Sequence, residues 1–240
     1  MFSRAPARHA FRCGAMAQPG RFRTFVPVMA VPVFSRFRAF VRSLLYPGSI
    51  RYWELRYAAG GHSGSGSTGR LAAYKAGWLN RFVLENGIQS VVEFGCGDGQ
   101  QLQLAGYPTY LGLDVAPSAV SRCRALFASD TAKRFAVYDP FQFDPDTAHA
   151  DLALSLEVIF HLTEEDIYQL YLQHLCAAAG RWVIIFASNM SDPSNGLYPH
   201  FHPRRFTPDI PAGWRLRAQV PNPHRDISWS DFFVFEKKDK

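Results

Sequence analysis

The sequence is poor in the features that mark metal-binding, disulfide-rich or membrane-spanning proteins. Its 240 residues contain four cysteines, which are widely spaced and form no CxxC pair. This spacing argues against a zinc site and is typical of reduced thiols, so we expect a cytoplasmic protein without a bound metal. The longest apolar run, residues 25–34, falls well short of the ~18 residues that a membrane-spanning helix requires, and two prolines interrupt it.

Acidic residues are absent from the first 53 positions, where nine arginines fall. The net charge of +6 therefore comes from this segment, because the rest of the chain holds 17 basic and 20 acidic side chains. We predict that residues 1–46 form an extension, for which three interpretations stay open. It is a disordered or upstream-start segment, a segment that contacts a membrane surface or a partner, or an organelle transit peptide. The near-neutral remainder argues against DNA as a partner.

Short apolar runs alternate with amphipathic helical segments along the middle of the chain. This pattern predicts an α/β fold whose mostly parallel sheet is covered by helices on both faces. We expect strands at residues 90–94, 109–113, 134–138, 151–156 and 182–187. We expect helices at residues 71–86, 117–128 and 164–179, and the start of another within 99–104. Segments 214–220 and 229–236 have no helix between them, so they should pair as an antiparallel edge hairpin and complete seven strands.

The segment VVEFGCGDG, residues 91–99, joins a buried strand to a turn with glycines at positions 95, 97 and 99. Glycine lets a backbone approach a ligand closely because it has no Cβ and tolerates positive φ. A dinucleotide fingerprint, G-x-G-x-x-G, requires a third glycine where Gln100 stands. The carboxylate of Glu93 would also repel a pyrophosphate, and it favours a ligand that carries an ammonium group.

This motif resembles the first motif of class I S-adenosylmethionine-dependent methyltransferases, E/D-x-G-x-G-x-G. The next predicted strand ends at Asp114, where that family has an acid on the ribose hydroxyls, and the third ends near Asp139, where it often has an acid near the adenine amine. Residues 157–162 are similar to the segment after the fourth strand in small-molecule methyltransferases. The resemblance covers roughly residues 52–240 and implies a Rossmann-like fold with S-adenosylmethionine as cofactor.

A cofactor site at the carboxyl ends of the strands follows from this resemblance. We assign to it Glu93, Gly95, Cys96, Gly97, Asp114, Val115, Asp139, Glu157, Tyr52 and Arg56. We interpret Cys96 as a small residue in a tight turn rather than a nucleophile. Tyr52 and Arg56 belong to the segment YWELRY, which resembles a segment that closes over the cofactor in several small-molecule methyltransferases. The loop at residues 60–69 suits a mobile lid, and packing of Tyr52 on the core is the alternative.

The acceptor is expected beside the end of the fourth strand and beside residues 189–213. His161 is the candidate catalytic base because imidazole titrates near neutrality, and a packing role is the alternative. Residues 189–213 are the candidate substrate loop, because long loops in compact domains are often functional. The candidate substrate-binding residues are Tyr57, Tyr198, His200, His202, Arg204 and Arg205. The two arginines suit an anionic group, with a solvated loop as the alternative.

We therefore predict a methyltransferase domain at residues 47–240. It comprises a lid and helix (47–89), a cofactor-binding core (90–188), the substrate loop (189–213) and an edge hairpin (214–240). The predicted reaction is methyl transfer to a small-molecule or glycan-like acceptor, preferably at oxygen. Ser155–Val158 replaces the N/D-P-P-Y motif of many base-amino methyltransferases, which argues against a DNA N-methyltransferase. A nicotinamide-dependent oxidoreductase and a non-catalytic cofactor-binding protein that acts through its basic tail are the alternatives.

Overall fold

Seven strands form one mixed sheet in a computed structural model that describes residues 45–191 and 199–238. The strands are β1 (Ser90–Phe94), β2 (Thr109–Asp114), β3 (Lys133–Val137), β4 (Ala150–Leu156), β5 (Ala179–Ala187), β6 (Trp214–Val220) and β7 (Asp231–Lys237). They lie in the order β3-β2-β1-β4-β5-β7-β6. The first five strands pair in parallel, and β7 pairs antiparallel with β5 and β6. The predicted sheet and edge hairpin are confirmed.

Helices cover both faces of the sheet because each buries an apolar stripe against it. In the described residues the α-helices are α1 (Ser49–Ala58), α2 (Gly69–Glu85), α3 (Pro117–Leu126) and α4 (Glu165–Ala177). Tyr171 and Leu175 of α4 lie in the core on one face, and Leu79 of α2 and Val120 of α3 lie in the core on the other. None of the helices in the described ranges has the length and hydropathy of a membrane span.

The link between β1 and β2 differs from the prediction. Residues 95–108 are all described and contain no α-helix, and their only helical element is a short 3₁₀ turn at Leu102–Leu104. Gly97 and Gly99 have φ angles of 58° and 79°, which a right-handed helix cannot accommodate. The predicted helix start within residues 99–104 was therefore wrong, and no regular helix N-terminus faces a ligand here.

The strand order reverses between β1 and β4, which pair directly with Val92 opposite Ala153. In open α/β sheets, ligands bind in the crevice beyond the carboxyl ends of the strands at such a reversal. Residues 95–99 follow β1, and Glu157 follows β4. The topology thus places the glycine-rich turn and the segment after the fourth strand on the two sides of one crevice.

Candidate cofactor and acceptor site

A cavity of about 440 Å³ opens at this crevice. Seven of the ten predicted cofactor residues line it, namely Glu93, Gly95, Cys96, Gly97, Asp114, Val115 and Glu157. The candidate base His161 and the predicted substrate residue Tyr57 line it as well. Burial and a hydrogen bond with Cys123 raise the pKa of the Cys96 thiol, so this residue is an uncharged part of the wall.

Two buried carboxyl groups give the cavity an affinity for cations. Glu93 is 4% exposed and accepts the hydroxyl of Tyr110 at 2.7 Å. Asp114 accepts the backbone N–H groups of Gly97 and Ala116, both at 2.9 Å. Burial raises the pKa of Glu93 to about 7 and that of Asp114 to about 6. A cationic or hydroxyl-bearing ligand would favour the ionised form of both groups, because it supplies the stabilisation that water no longer gives.

The loop after α1 closes over the glycine-rich turn. The hydroxyl of Ser63 donates to one carboxylate oxygen of Asp98 at 2.7 Å, and its backbone N–H donates to the other at 3.1 Å. Tyr57 shares a hydrogen bond of 3.0 Å with the Ser63 hydroxyl, so it lies beside the turn. A Cβ on Gly97 would lie 2.3 Å from the Ser63 oxygen. Glycine at this position is therefore what allows the loop to close.

A buried ion pair that the sequence did not reveal lies between α2 and the segment after β4. Lys75 is 1% exposed, and its Nζ lies 3.4 Å from Oε2 of Glu157. Ser228, in the loop between β6 and β7, donates to Oε1 of Glu157 at 3.0 Å. A Cβ on Gly66 would lie 1.8 Å from Oε2 of the same carboxylate. Three distant segments thus meet at Glu157.

A signal for Lys75 was present in the sequence. It stands four residues after Leu71 and four before Leu79, which are both buried on the apolar stripe of α2. A lysine at a core position of an amphipathic helix is unusual, because lysine is rarely buried without a partner. The periodicity of α2 could therefore have singled it out.

Gln101 is a second residue that sequence reasoning missed. It is 8% exposed, lines the cavity and donates from Nε2 to the carbonyl oxygen of Ala72 at 3.1 Å. Its Oε1 is buried and has no hydrogen-bond partner among the described residues. A buried acceptor without a donor costs about 1–3 kcal/mol, so a ligand that carries N–H or O–H donors would stabilise this site.

The acceptors in the cavity fit S-adenosylmethionine. This cofactor presents an ammonium group and two ribose hydroxyls, all of them donors. Glu93, Asp114 and the unpaired Oε1 of Gln101 are matching acceptors in the wall. The donor and acceptor sets are therefore complementary.

His161 lies in the cavity wall after β4 with a defined tautomer. Its Nδ1 lies 2.8 Å from the backbone carbonyl oxygen of His200, which can only accept, so Nδ1 carries the proton. Burial lowers the pKa of the imidazole to about 4, although the bond to His200 acts in the opposite direction. The ring of Trp53 packs edge-on against it with centroids 4.8 Å apart. At neutral pH the side chain is uncharged, and Nε2 can accept a hydrogen bond.

Three predicted cofactor residues do not line the cavity. Tyr52 stacks on the ring of His200 with centroids 4.8 Å apart. Arg56 donates to the carbonyl oxygen of His62 at 2.8 Å and lies over the ring of Trp53. Asp139 is exposed, and its carboxylate accepts the backbone N–H of Phe141 at 2.9 Å within a turn. The polar groups of Arg56 and Asp139 are thus taken up locally, and Tyr52 packs through its ring.

Of the predicted substrate residues of the loop at 189–213, the four that the structure describes do not line the cavity. Arg204 donates to Glu165 at 2.7 Å and to the carbonyl oxygen of Leu162 at 2.9 Å, and Arg205 is exposed. His200 and His202 do not line the cavity, whereas Phe201 between them does. Tyr198 lies outside the described residues. Among the described residues of this loop, neither arginine lines the cavity, and Arg204 is paired with Glu165.

The loop between β6 and β7 supplies a wall that the sequence did not indicate. Its lining residues are Ile227, Ser228, Trp229 and Ser230. Trp229 is 66% exposed, and Trp53, Phe160 and Phe201 are further aromatic residues of the cavity lining. The sequence pattern predicts a strand over residues 229–236, whereas β7 begins at Asp231 and leaves Trp229 in the loop before it, so the exposure of this side chain became visible only in the structure.

Comparison with known proteins finds a match for the part of the chain that holds the glycine-rich turn. A family model described as a methyltransferase domain matches residues 91–179. The small RNA 2'-O-methyltransferase of Arabidopsis thaliana is 28% identical over an alignment of 108 residues that covers 40% of this chain and 12% of that protein. The chain therefore spans about an eighth of the length of this curated relative.

Two solved structures share the fold. The N-methyltransferase NodS from Bradyrhizobium japonicum WM9, in complex with S-adenosyl-L-homocysteine, matches with a TM-score of 0.62 at 14% identity, covering 80% of this chain and 100% of that one. Magnesium protoporphyrin IX methyltransferase (ChlM) from Synechocystis PCC 6803, with bound S-adenosyl-L-homocysteine, matches with a TM-score of 0.55 at 19% identity, covering 84% and 100%. The chain therefore carries a match to a methyltransferase domain at residues 91–179, within a fold that it shares with these S-adenosylmethionine-dependent methyltransferases.

Proposed function

We propose that this chain transfers the methyl group of S-adenosylmethionine to a hydroxyl of a ring-shaped small-molecule or glycan-like acceptor. The observation that carries the proposal is the neutral imidazole of His161 in the cavity wall, with Nδ1 bonded to the His200 carbonyl and Nε2 left as an acceptor. A hydroxyl can donate a hydrogen bond to such a nitrogen and still present a lone pair to the methyl group.

The cofactor end of the cavity lies at the carboxyl ends of β1 and β2. Asp114 would accept hydrogen bonds from the ribose hydroxyls, and Glu93 and Gln101 would accept those of the ammonium group. When bound, S-adenosylmethionine supplies a methyl group already activated on a positively charged sulfur. The protein then has to position the acceptor and exclude water, which the closed loop at Ser63 supports.

His161 would orient the acceptor rather than store its proton. A pKa of about 4 makes the imidazolium unfavourable at neutral pH. The hydroxyl would therefore donate its hydrogen bond to Nε2, and as the oxygen forms its bond to the methyl group its proton would leave by way of Nε2, which would release it to solvent when the cavity opens for the product. The bond from Nδ1 to the His200 carbonyl keeps the ring in this orientation.

The walls on the acceptor side favour a ring-shaped and largely uncharged molecule. Trp53, Phe160 and Phe201 pack around His161, and Trp229 also lines the cavity. Aromatic rings pack well against the flat or apolar faces of other rings, and binding sites for small ligands are mostly apolar with few polar groups. Lys75 is the single lysine or arginine among the described lining residues, which gives phosphate-rich acceptors little to bind.

An RNA 2'-hydroxyl is a second candidate acceptor. The Arabidopsis relative that is 28% identical over 108 residues is named as a small RNA 2'-O-methyltransferase. The chemistry is the same, because a ribose 2'-hydroxyl would also donate to His161. The single cation among the described lining residues is the observation that places this candidate second.

The proposal is tested by incubating the protein with methyl-tritiated S-adenosylmethionine and three acceptor panels. The panels are hydroxylated aromatic compounds, monosaccharides and short single-stranded RNA. We expect label in one of the first two panels. Label in RNA alone would establish the second candidate instead. Label in no panel, with S-adenosylhomocysteine still bound in calorimetry, would favour the non-catalytic alternative.

The nicotinamide-dependent alternative has lost its support. The family match covers the glycine-rich turn itself, since residues 91–179 include Gly95, Gly97 and Gly99. The acids of the cavity would also repel a pyrophosphate. Calorimetric titration with NAD should therefore show no binding under conditions in which S-adenosylhomocysteine binds.

A further inference from the structure

Lys75 is a buried ammonium group whose hydrogen-bonding capacity is largely unused. Its side chain is 1% exposed, and Nζ has three N–H donors. Among the described residues, its one hydrogen-bond partner is Oε2 of Glu157 at a long 3.4 Å. The ring of Phe186, with its centroid 5.4 Å away, adds a weak attraction. A charge buried with so few partners is costly, which points to an anionic group of a ligand.

Among the charged side chains that line the cavity in the described residues, Lys75 alone would attract a carboxylate. Glu93, Asp114 and Glu157 are acids, and Lys75 is the single lysine or arginine among the described lining residues. A carboxylate that entered the cavity would be attracted to Lys75 and repelled by the three acids. Lys75 also interacts electrostatically with Glu93, so opposite charges are available to the two ends of a zwitterion.

An α-amino acid has this distribution of charge, with an ammonium and a carboxylate on one carbon. We propose that Lys75 binds the α-carboxylate of S-adenosylmethionine, while Glu93 and the unpaired Oε1 of Gln101 accept hydrogen bonds from its α-ammonium. This inference rests on the proposed function and deepens it by naming what recognises the amino-acid end of the cofactor. Glu157 is then a positioning residue that holds Lys75 beneath the loop at Gly66.

Calorimetry with a matched pair of ligands tests the inference without any acceptor. S-adenosylmethionine and decarboxylated S-adenosylmethionine differ only in the carboxylate. The wild-type protein should prefer the former by roughly ten- to hundredfold, the usual range for a hydrogen bond to a charged group. In Lys75→Met, this preference should fall to about threefold or less, because the carboxylate loses its ionic partner while the decarboxylated ligand loses no attractive contact.

Control variants separate binding from a structural role. Lys238→Met removes an exposed lysine remote from the cavity lining and should keep the full preference. Lys75→Gln retains a donor without the charge and should show an intermediate preference. This variant replaces Lys75→Met in the test if Lys75→Met does not fold.

Three outcomes would overturn the inference. A preference that persists in both Lys75 variants would show that the carboxylate binds elsewhere. An equal loss of affinity for both ligands would show that Lys75 is only a structural counter-ion of Glu157. If the wild-type protein binds neither ligand, the proposed function itself fails, which distinguishes that result from the other two.

Discussion

Glu93 occupies a position where its charge destabilises the folded protein and would stabilise a bound cation. Burial raises its pKa from 4.5 to about 7, so between these pH values the folded chain holds a proton that the unfolded chain has lost. The free energy of unfolding should therefore fall as pH rises through this window. Asp114, whose pKa is raised from 3.8 to about 6, contributes in the same direction at lower pH.

Glu93→Gln should stabilise the ligand-free protein above neutral pH and weaken cofactor binding. The amide can still accept the hydroxyl of Tyr110, but it removes a buried charge worth up to about 3 kcal/mol at roughly 1.4 kcal/mol per pKa unit. Urea unfolding near pH 8 and near pH 5 should show a much larger gain at the higher pH, because pH 5 lies close to the lower end of the window. Affinity for S-adenosylhomocysteine should fall roughly tenfold or more because the ammonium loses an ionic partner.

Glu85→Gln is the matched control, because Glu85 is exposed at the end of α2. It should change neither stability nor affinity. If Glu93→Gln destabilised the protein equally at both pH values, the cause would be lost packing or hydrogen bonding rather than a buried charge.

His161→Ala should lower kcat by roughly 10²-fold while leaving S-adenosylhomocysteine affinity within about threefold, because His161 is assigned to orient the acceptor.

With a pKa of about 4, the imidazole is neutral at and above neutral pH and becomes protonated only in acid. The kcat of the wild-type protein with the acceptor found by the panel screen should thus show no inflection near pH 6.5, the usual imidazole pKa. His149→Ala, an exposed histidine outside this cavity, is the control. An inflection near 6.5 that vanishes in His161→Ala would contradict the neutral assignment.

At the scale of elements, α1 and the loop after it are fastened to the core by polar contacts at both ends. Glu164 accepts the backbone N–H and the hydroxyl of Ser49 at 2.7 Å each, at the start of α1. Arg122 of α3 donates to the carbonyl oxygens of Tyr57 and Gly61 where α1 ends. The loop itself is held by Ser63 and Asp98. Polar contacts of this kind can open without disrupting the apolar core, which suits a lid.

Ser63→Ala should speed release of S-adenosylhomocysteine without unfolding the core. The substitution removes the 2.7 Å hydrogen bond from the Ser63 hydroxyl to the Asp98 carboxylate and keeps the backbone contact at 3.1 Å. A hydrogen bond to a charged group is worth about 1.5–3 kcal/mol, so the dissociation rate should rise roughly tenfold or more. Stopped-flow displacement measures the rate, and thermal unfolding of the ligand-free protein should change little.

Thr68→Ala in the same loop is the control, because Thr68 is exposed and makes no capping hydrogen bond to α2. Equal dissociation rates in Ser63→Ala and the wild-type protein would show that the loop does not retain the ligand.

At the scale of the whole molecule, the cavity has an excess of acid. Its described lining contains Glu93, Asp114 and Glu157 against Lys75. This balance suits a ligand with net positive charge and disfavours a pyrophosphate.

S-adenosylhomocysteine at about 100 times its Kd should raise the free energy of unfolding by about 2.7 kcal/mol through mass action. NAD at the same concentration should leave the melting temperature unchanged, and a larger shift with NAD would contradict the assigned cavity chemistry.

The order of elements in the molecule was accessible from sequence because it depends on local patterns. Apolar runs and helical periodicity predicted β6 with its observed bounds, Trp214–Val220, and placed the other strands within a few residues. The spacing of glycines after β1 predicted where the cavity opens. The helix predicted within residues 99–104 failed, because backbone angles at Gly97 and Gly99 outweighed the apolar spacing.

The sequence by itself determined the fold class and the strand-end acids, because periodicity, turn residues and strand ends are properties of neighbouring positions. Only the tertiary structure decided which side chains share the cavity. It paired Arg204 with Glu165 on α4 and brought Ser228 to Glu157. It also left Lys75 and the oxygen of Gln101 buried with unused hydrogen-bonding capacity. Such pairings depend on where distant elements pack, and no local pattern encodes the distance between them.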